Sequence, residues 1–480
     1  MRRSRHPEDE KLLVPRARQR EGVLAATLRQ IRDELGLPES FPAEVQAEAR
    51  ESVAAHELPG ADRTGIPFVT IDPPGATDLD QALHLERAGD GYTVHYAIAD
   101  VPAFVPPLGA VDTEARERGQ TLYAPDGRIP LHPTVISEDA ASLLPGAERG
   151  AFVWTFALDA RGETTSVGLE RARIRSRRQF SYAEVQSAID DGEAGESLQL
   201  LREVGMLRLD LERERGGASL NRPDEEIEFE GGRYWLVRRA PLPVETWNAQ
   251  ISLLTGMAAA RIMIDGGVGI LRTMPEPLPD TIAMFRRQVA ALGCPWPEGM
   301  PYGEFLRGLD HSTPSGLAAV HAAASLFRGA GYTAFDGEPP ENPVQAAVAA
   351  PYAHTTAPLR RLVDRFVLLT CESLVGGRDV PAWVREALPT LPKLMGRSNG
   401  LASRLERASV EAIEAALLEP RVGEVFDAVV ISAREGGGTI QLADPVVTAA
   451  VEGDLGAGDT VRVRLAAADI PTGVVEFVLV

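Results

Sequence analysis

Lysine is nearly missing from this chain: Lys11 and Lys393 are the only two among 49 basic residues, so cationic recognition falls to arginine. The planar arginine fork suits phosphate, although a biased genome composition produces the same excess. Two cysteines, Cys294 and Cys371, are too few for a disulfide framework or a four-cysteine zinc site. They read as small buried residues. No apolar run approaches the ~20 residues that a membrane span needs. The N-terminus is basic, but acids and no apolar stretch come after it, so it does not read as a secretory signal. These absences lead to the expectation of a cytoplasmic protein, a monomer in the simplest case, without membrane contact.

Net charge is −20, which excludes an indiscriminate DNA coat but leaves open an enclosed basic path. Charged residues make up 25% and apolar residues 44%, a globular balance that excludes a wholly disordered chain. At ~150 residues per domain, 480 residues suggest about three domains.

The pattern divides accordingly. Residues 1–62 are expected to be helical, with Leu24, Leu28, Ile31 and Leu35 at helical spacing and a second helix over Ala43–His56. Such a module is either helix-turn-helix-like or a helical cap on the next domain. Over 63–420 strands come first (Ile66–Ile71, Tyr92–Ile98, Phe152–Leu158, Gly168–Ile174, Arg233–Val237). Helices come later (Val244–Ile264, Thr281–Leu292, Ser315–Phe327, Pro358–Glu372, Arg397–Leu418). That order predicts an α+β fold. Residues 421–480 hold five short Val-rich segments, including Glu424–Ser432 and Val446–Val451, as in a small OB-fold barrel. Phe426 and Phe477 are its only aromatics, so base stacking on its surface is not expected.

The densest polar stretch is Asp72-Pro-Pro-Gly-Ala-Thr-Asp78-Leu-Asp80-Gln81. A β-rich segment delivers Asp72, the Pro-Pro-Gly turn reverses the chain, and Asp78 and Asp80 at i and i+2 share one side if extended. Three converging carboxylates repel unless a cation sits among them, and hard oxygen donors favour Mg²⁺ or Mn²⁺. Such ions serve phosphoryl chemistry. Two other readings stand: a turn that merely carries Asp, and an Asp-x-Asp phosphatase nucleophile. In a second stretch, Pro358 suits the first helical position and puts Arg360 and Arg361 in the first turn, where an anion is favoured. Arg360 would pair with Asp364 one turn on. Arginines 171, 173, 175 and 177 alternate on an expected strand, as an RNA path or as a solvated face beside acidic neighbours. His354 reads as structural.

Six blocks in order carry a resemblance. They are Thr70-Ile-Asp-Pro…Asp78-Leu-Asp80; Val94-His-Tyr-Ala-Ile-Ala-Asp100; Thr121-Leu-Tyr123-Ala-Pro-Asp-Gly-Arg-Ile-Pro130; Ala141-Ser-Leu-Leu-Pro-Gly; Phe180-Ser-Tyr182-Ala-Glu-Val; and Tyr352-Ala-His-Thr-Thr-Ala-Pro-Leu-Arg-Arg361. Together the chain resembles the ribonuclease II (RNB) family of exoribonucleases over about Gly65–Leu418. The resemblance implies an RNB-type catalytic domain and a terminal RNA-binding OB barrel. It further implies Mg²⁺-dependent hydrolysis of single-stranded RNA from the 3′ end, releasing nucleoside 5′-monophosphates in RNA turnover. Asp72 and Asp78 would be metal ligands, and Asp80 the carboxylate whose loss most affects cleavage. Arg360 would hold the scissile phosphate with Arg361 beside it, Tyr123 would stack on the terminal nucleotide, and Tyr182 would line the RNA path.

The sequence departs from the family pattern in three places. Gln81 stands where the family has a fourth aspartate. A glutamine oxygen still suits a hard metal, but the lost charge predicts weaker binding of one ion or a preference for Mn²⁺. The N-terminal stretch is too short for the two cold-shock barrels of many relatives. The region around Gly216–Arg222 offers Ser219 and Leu220 instead of a second aromatic clamp. Gln81 also motivates a rival from another class, an RNA-binding regulator on an inactive scaffold.

Overall fold

The computed structural model describes residues 10–13, 18–218, 224–230, 233–239, 241–310, 313–442, 445 and 447–480. Ser219 and Leu220 lie outside these residues, as does Val446, the expected start of the third barrel strand.

Two N-terminal helices, α1 (Arg18–Glu34) and α2 (Ala43–Ala55), do not share a core with each other. Leu24 and Leu28 of α1 pack on Ala412, Ile413, Ala416 and Leu417, whereas Val45 and Ala49 of α2 pack on Val101, Phe104 and Val105. The module is therefore a cap on two sides of the body, and the helix-turn-helix reading gives way.

The central sheet has six strands in the order β5-β4-β3-β2-β1-β6: β1 (Val69–Ile71), β2 (Gln81–Ala88), β3 (Gly91–Ala99), β4 (Glu148–Leu158), β5 (Thr164–Arg175) and β6 (Arg178–Phe180). Neighbours are antiparallel except β1 and β6, which run parallel. Both faces are covered. Val94, Tyr96, Ile98, Trp154 and Phe156 join the larger core, while Ala97, Ala99, Ala151 and Val153 join a second one. Side chains alternate across a strand, and a sheet clothed on both sides needs apolar residues at both phases. That is why β3 is buried almost continuously.

Helices α3 (Glu196–Arg215), α4 (Pro243–Gly266), α5 (Leu362–Val375) and α6 (Leu391–Leu418) build the rest of the body. The expected order of strands and then helices holds only in part. Ala110–Arg118, Tyr182–Asp190 and α3 all interrupt the strand-rich half. Helix α5 begins at Leu362 rather than Pro358, and Pro358–Arg360 form a turn.

The C-terminal five strands are β7 (Val425–Arg434), β8 (Gly437–Leu442), β9 (Thr448–Glu452), β10 (Thr460–Asp469) and β11 (Val474–Leu479), in the order β9-β8-β7-β10-β11. Register shifts at Val430/Ser432 and Leu465/Ala467 bend β7 and β10 and bring the sheet close to a closed barrel. Phe426 and Phe477 meet edge to face inside it, ring centres 5.9 Å apart. Neither is available for stacking on a base. Among the described residues no helix is long and apolar enough to cross a membrane.

Candidate active site

The acidic loop runs from the end of β1 to the start of β2, and its backbone is pinned at each turn. The Asp72 N–H donates to the Phe180 carbonyl (3.0 Å), fixing the exit from β1. Gly75 adopts φ +84°, a left-handed conformation that glycine tolerates best, and Ala76 N–H closes the turn on the Pro73 carbonyl (3.1 Å). Ser142 then bridges the loop: its hydroxyl donates to the Thr77 carbonyl (2.7 Å) and accepts from Leu79 N–H (2.9 Å). Leu79 is wholly buried in the second core. Residues 76–80 are irregular, so the pinned turn, and not an extended strand, sets where Asp78 and Asp80 point.

The arginine turn meets this loop from the other side. Asp364, in the first turn of α5, accepts from Ala357 N–H (2.8 Å) and takes the Arg361 guanidinium in two hydrogen bonds (3.0 and 2.9 Å). The expected Arg360–Asp364 pair is therefore replaced by Arg361–Asp364, because α5 starts four residues later than Pro358 suggests. Arg360 turns to the acids instead, with Nε 3.5 Å from Asp80 Oδ2 and about half of its side chain exposed. The neighbouring Leu359 N–H donates to Asp80 Oδ1 (2.8 Å). Hydrogen bonds from Thr121 N–H to the Arg360 carbonyl (2.9 Å) and from Leu362 N–H to the Gly119 carbonyl (3.0 Å) staple the turn to residues 119–121. Those residues lead into the hairpin Leu122–Ala124/Gly127–Ile129. Tyr123 stands on that hairpin, 54% exposed.

These groups also act on one another through charge. Burial pushes the Asp80 carboxyl up to about 8; Arg360 and the Leu359 N–H oppose the rise, while Asp364 and Asp78 add to it. Burial likewise carries Asp72 up to about 7, against Arg360 and with Asp78. The Tyr123 hydroxyl rises to about 12 through desolvation and the nearby Asp78 and Asp80. Tyr182 also rises to about 12, through burial and then Asp72, and its hydroxyl accepts from Asn248 Nδ2 (3.4 Å). Arg360 and the acids Asp72, Asp78 and Asp80 thus act on one another, and on Tyr123 and Tyr182, through charge.

Other residues are engaged elsewhere. The Gln81 amide donates to the buried Thr356 carbonyl (2.7 Å), and its oxygen accepts from the buried Tyr96 hydroxyl (2.5 Å). Arg361 is held by Asp364, with Tyr332 and Tyr352 close by. Asp78 is ion-paired with Arg128, which also binds Glu138 (2.9 Å). The donors in this loop are hard oxygens of the kind that Mg²⁺ takes. As the side chains stand, no three carboxylate or imidazole groups among the described residues converge at ligating spacing. Sequence reasoning did not single out Arg128, Ser142 or Tyr96, although all three lie within the six family-like blocks.

Three of the four alternating arginines are salt-bridged, and the fourth binds a backbone carbonyl. Arg171 binds Asp100 (2.6 Å), Arg173 binds Asp62 (2.8 Å), Arg175 binds Glu148, and Arg177 donates to the Thr64 carbonyl (2.6 Å). His354 is half-buried, shares a hydrogen bond with the Tyr332 hydroxyl (2.7 Å), and is kept neutral by desolvation and nearby arginines. Cys371 is buried and Cys294 half-buried.

The RNB domain profile matches residues 61–375, and the RNase II-type exonuclease C-terminal S1 domain profile matches 424–480. Ribonuclease R of Escherichia coli is 27% identical over 347 residues, 68% of this chain and 40% of that protein. The chain spans less than half the length of the curated relatives it matches. Among solved structures, Mycoplasma genitalium RNase R in complex with ribose-methylated single-stranded RNA superposes with a TM-score of 0.84 over 95% of this chain and 78% of that one, at 18% identity. Yeast Ssd1, a pseudonuclease, superposes with a TM-score of 0.67 over 89% of this chain and 53% of that one, at 16% identity. An RNB domain covering well over half its length, with an RNase II-type S1 barrel after it, makes this chain a member of the RNB family of ribonuclease II/R-like proteins.

Proposed function

We propose that this protein is a 3′→5′ exoribonuclease that hydrolyses single-stranded RNA to nucleoside 5′-monophosphates, acting in cytoplasmic RNA turnover. The observation that carries this reading is the meeting of buried Asp80 and half-buried Asp72 with the half-exposed guanidinium of Arg360. A scissile phosphate fits the exposed edge of that guanidinium, which would accept it as a planar fork and draw charge from the equatorial oxygens. Tyr123, exposed on its hairpin, offers a face to the terminal base, and Tyr182 offers a second aromatic along the path. The Leu359 N–H keeps the Asp80 carboxylate in one orientation. Mg²⁺ or Mn²⁺, held by Asp72, Asp78 and Asp80 with Gln81 beside them, would activate water and stabilise the leaving oxygen when bound.

A second reading, RNA binding without cleavage, draws support from Gln81 and from the Arg128 pairing of Asp78, both of which lower the negative charge available to a cation. Purified protein with Mg²⁺ and single-stranded RNA carrying a free 3′ end separates the two. Release of mononucleotides that disappears in Asp80→Asn supports the exoribonuclease. Tight binding without products supports the regulator. Equal turnover of simple phosphate esters that ignores Arg360→Ala would favour a phosphatase instead.

A further inference from the structure

Arg128 sits at a junction the proposed chemistry does not use. Its guanidinium lies against Asp78, donates to the Thr77 hydroxyl (2.7 Å) and reaches Glu138 Oε1 (2.9 Å), while the Thr77 hydroxyl donates to Glu138 Oε2 (3.1 Å). One cation is thus shared between two carboxylates, all three side chains being partly buried at 15–28% exposure. The pairing is not local in sequence: it joins residue 128 on the hairpin to loop residue 78 and to Glu138 in the short turn Ile136–Ala140. Arg128 is also the cross-strand partner of Tyr123. The same hairpin therefore carries the exposed aromatic and the arginine that occupies the acid.

We propose that Arg128 competes with the divalent cation for Asp78, and that Glu138 sets the outcome by holding the guanidinium when Asp78 lets it go. The inference rests on Asp78 being a metal ligand in the proposed exoribonuclease. A carboxylate oxygen that accepts a guanidinium N–H has a lone pair engaged and its charge offset, so an ion binding through that oxygen must displace the arginine. Glu138 and Thr77 make displacement feasible, since the departing guanidinium keeps an anion and a hydroxyl and is never left unpaired. Once moved off Asp78, it stays beside Tyr123, where an RNA phosphate would meet it. Site occupancy and RNA engagement are then coupled through one side chain.

The two partners of Arg128 give opposite predictions. Arg128→Gln frees Asp78, so Mn²⁺ binds more tightly. Glu138→Gln removes the alternative anchor and commits the guanidinium to Asp78, so Mn²⁺ binds more weakly. A partly exposed charge pair with hydrogen bonds is worth about 1 kcal/mol, so each shift is roughly 3- to 10-fold in Kd. The experiment titrates Mn²⁺ into the RNA-free 480-residue chain and tracks the loss of the free-ion electron paramagnetic resonance signal, with a thermal melt of each variant as the folding control. Asp80→Asn serves as the site control, and Arg128→Lys, which keeps charge but loses the fork, is expected between wild type and Arg128→Gln. Opposite shifts in the two variants support the competition. Unchanged affinity in both, or weakening in both, overturns it while leaving the metal reading in place. Wild-type binding that Asp80→Asn does not alter overturns the metal reading itself, and this inference with it.

Discussion

Gln81 is the residue where the acidic loop differs from its family pattern, and its environment turns that difference into a measurable quantity. Its amide is a neutral strut: N–H to the Thr356 carbonyl at 2.7 Å and oxygen from the Tyr96 hydroxyl at 2.5 Å, both partners essentially buried. In Gln81→Asp the side chain is one methylene shorter and can only accept. The Thr356 carbonyl loses its donor and the Tyr96 hydroxyl loses its acceptor. Each buried group left unpaired costs about 1–2 kcal/mol, so the substitution should destabilise the metal-free protein by about 2–4 kcal/mol, a fall of several degrees in Tm. The same change adds a carboxylate next to Asp80, whose carboxyl already resists ionisation. A cation relieves that repulsion, so saturating Mg²⁺ should recover part of the lost stability. Cleavage should also saturate at lower Mg²⁺ in Gln81→Asp than in the natural protein, and any advantage of Mn²⁺ over Mg²⁺ should shrink. Thermal melts with and without chelator, together with Mg²⁺ and Mn²⁺ titrations of RNA cleavage, measure all of this. An unchanged Tm with indistinguishable metal curves would refute the reasoning.

The same structure sets three further outcomes. Arg360→Ala should abolish RNA cleavage while shifting Tm little, whereas Arg361→Ala strips the buried Asp364 of its partner and should cost about 3–5 kcal/mol of stability; the reverse pattern in melts and assays would mean the two roles are exchanged. Tyr123→Ala, at an exposed position, should leave the melting curve in place and weaken retention of short RNAs, seen as longer end products on a sequencing gel. His132 is buried and held down to about 3 by desolvation and then Arg365, so the unfolded chain takes up a proton from pH 6.5 downward while the folded chain does not. Its contribution is therefore complete above pH 6.5 and lost as pH falls toward 3. His132→Leu should narrow its stability gap to wild type by about 1.2 kcal/mol between pH 6 and 5 in denaturant titrations, and a constant gap would contradict this.

What the sequence made legible was local. The turn residues of Asp72–Gln81, the nearly continuous apolar run of β3 and the Val-rich barrel strands each carry their own signal, because backbone reversal and burial pattern are written over a few neighbouring residues. Tertiary pairings were harder to read. Pro358 suits a helix start, but the strand-like stapling of residues 360–362 to 119–121 holds the turn open, delays α5 to Leu362 and hands Asp364 to Arg361. Arg128 meets Asp78 across 50 positions and Tyr96 meets Gln81 across a strand pair, distances over which spacing carries no information. The helix α3 lies among the strands although Leu198, Leu201 and Val204 repeat at helical spacing, so the expected segregation of strands and helices overlooked a local signal.

The central claim is that Asp80 and Arg360 act together on a phosphodiester at an RNA 3′ end. The most direct measurement uses 5′-labelled RNA and DNA of one sequence with wild type, Asp80→Asn and Arg360→Ala at matched Mg²⁺. Stepwise shortening of RNA by wild type, intact DNA, and bound but uncut RNA with Asp80→Asn are the predicted results. RNA that wild type binds and leaves whole at every divalent cation tried, or cleavage that survives both substitutions, would contradict the account.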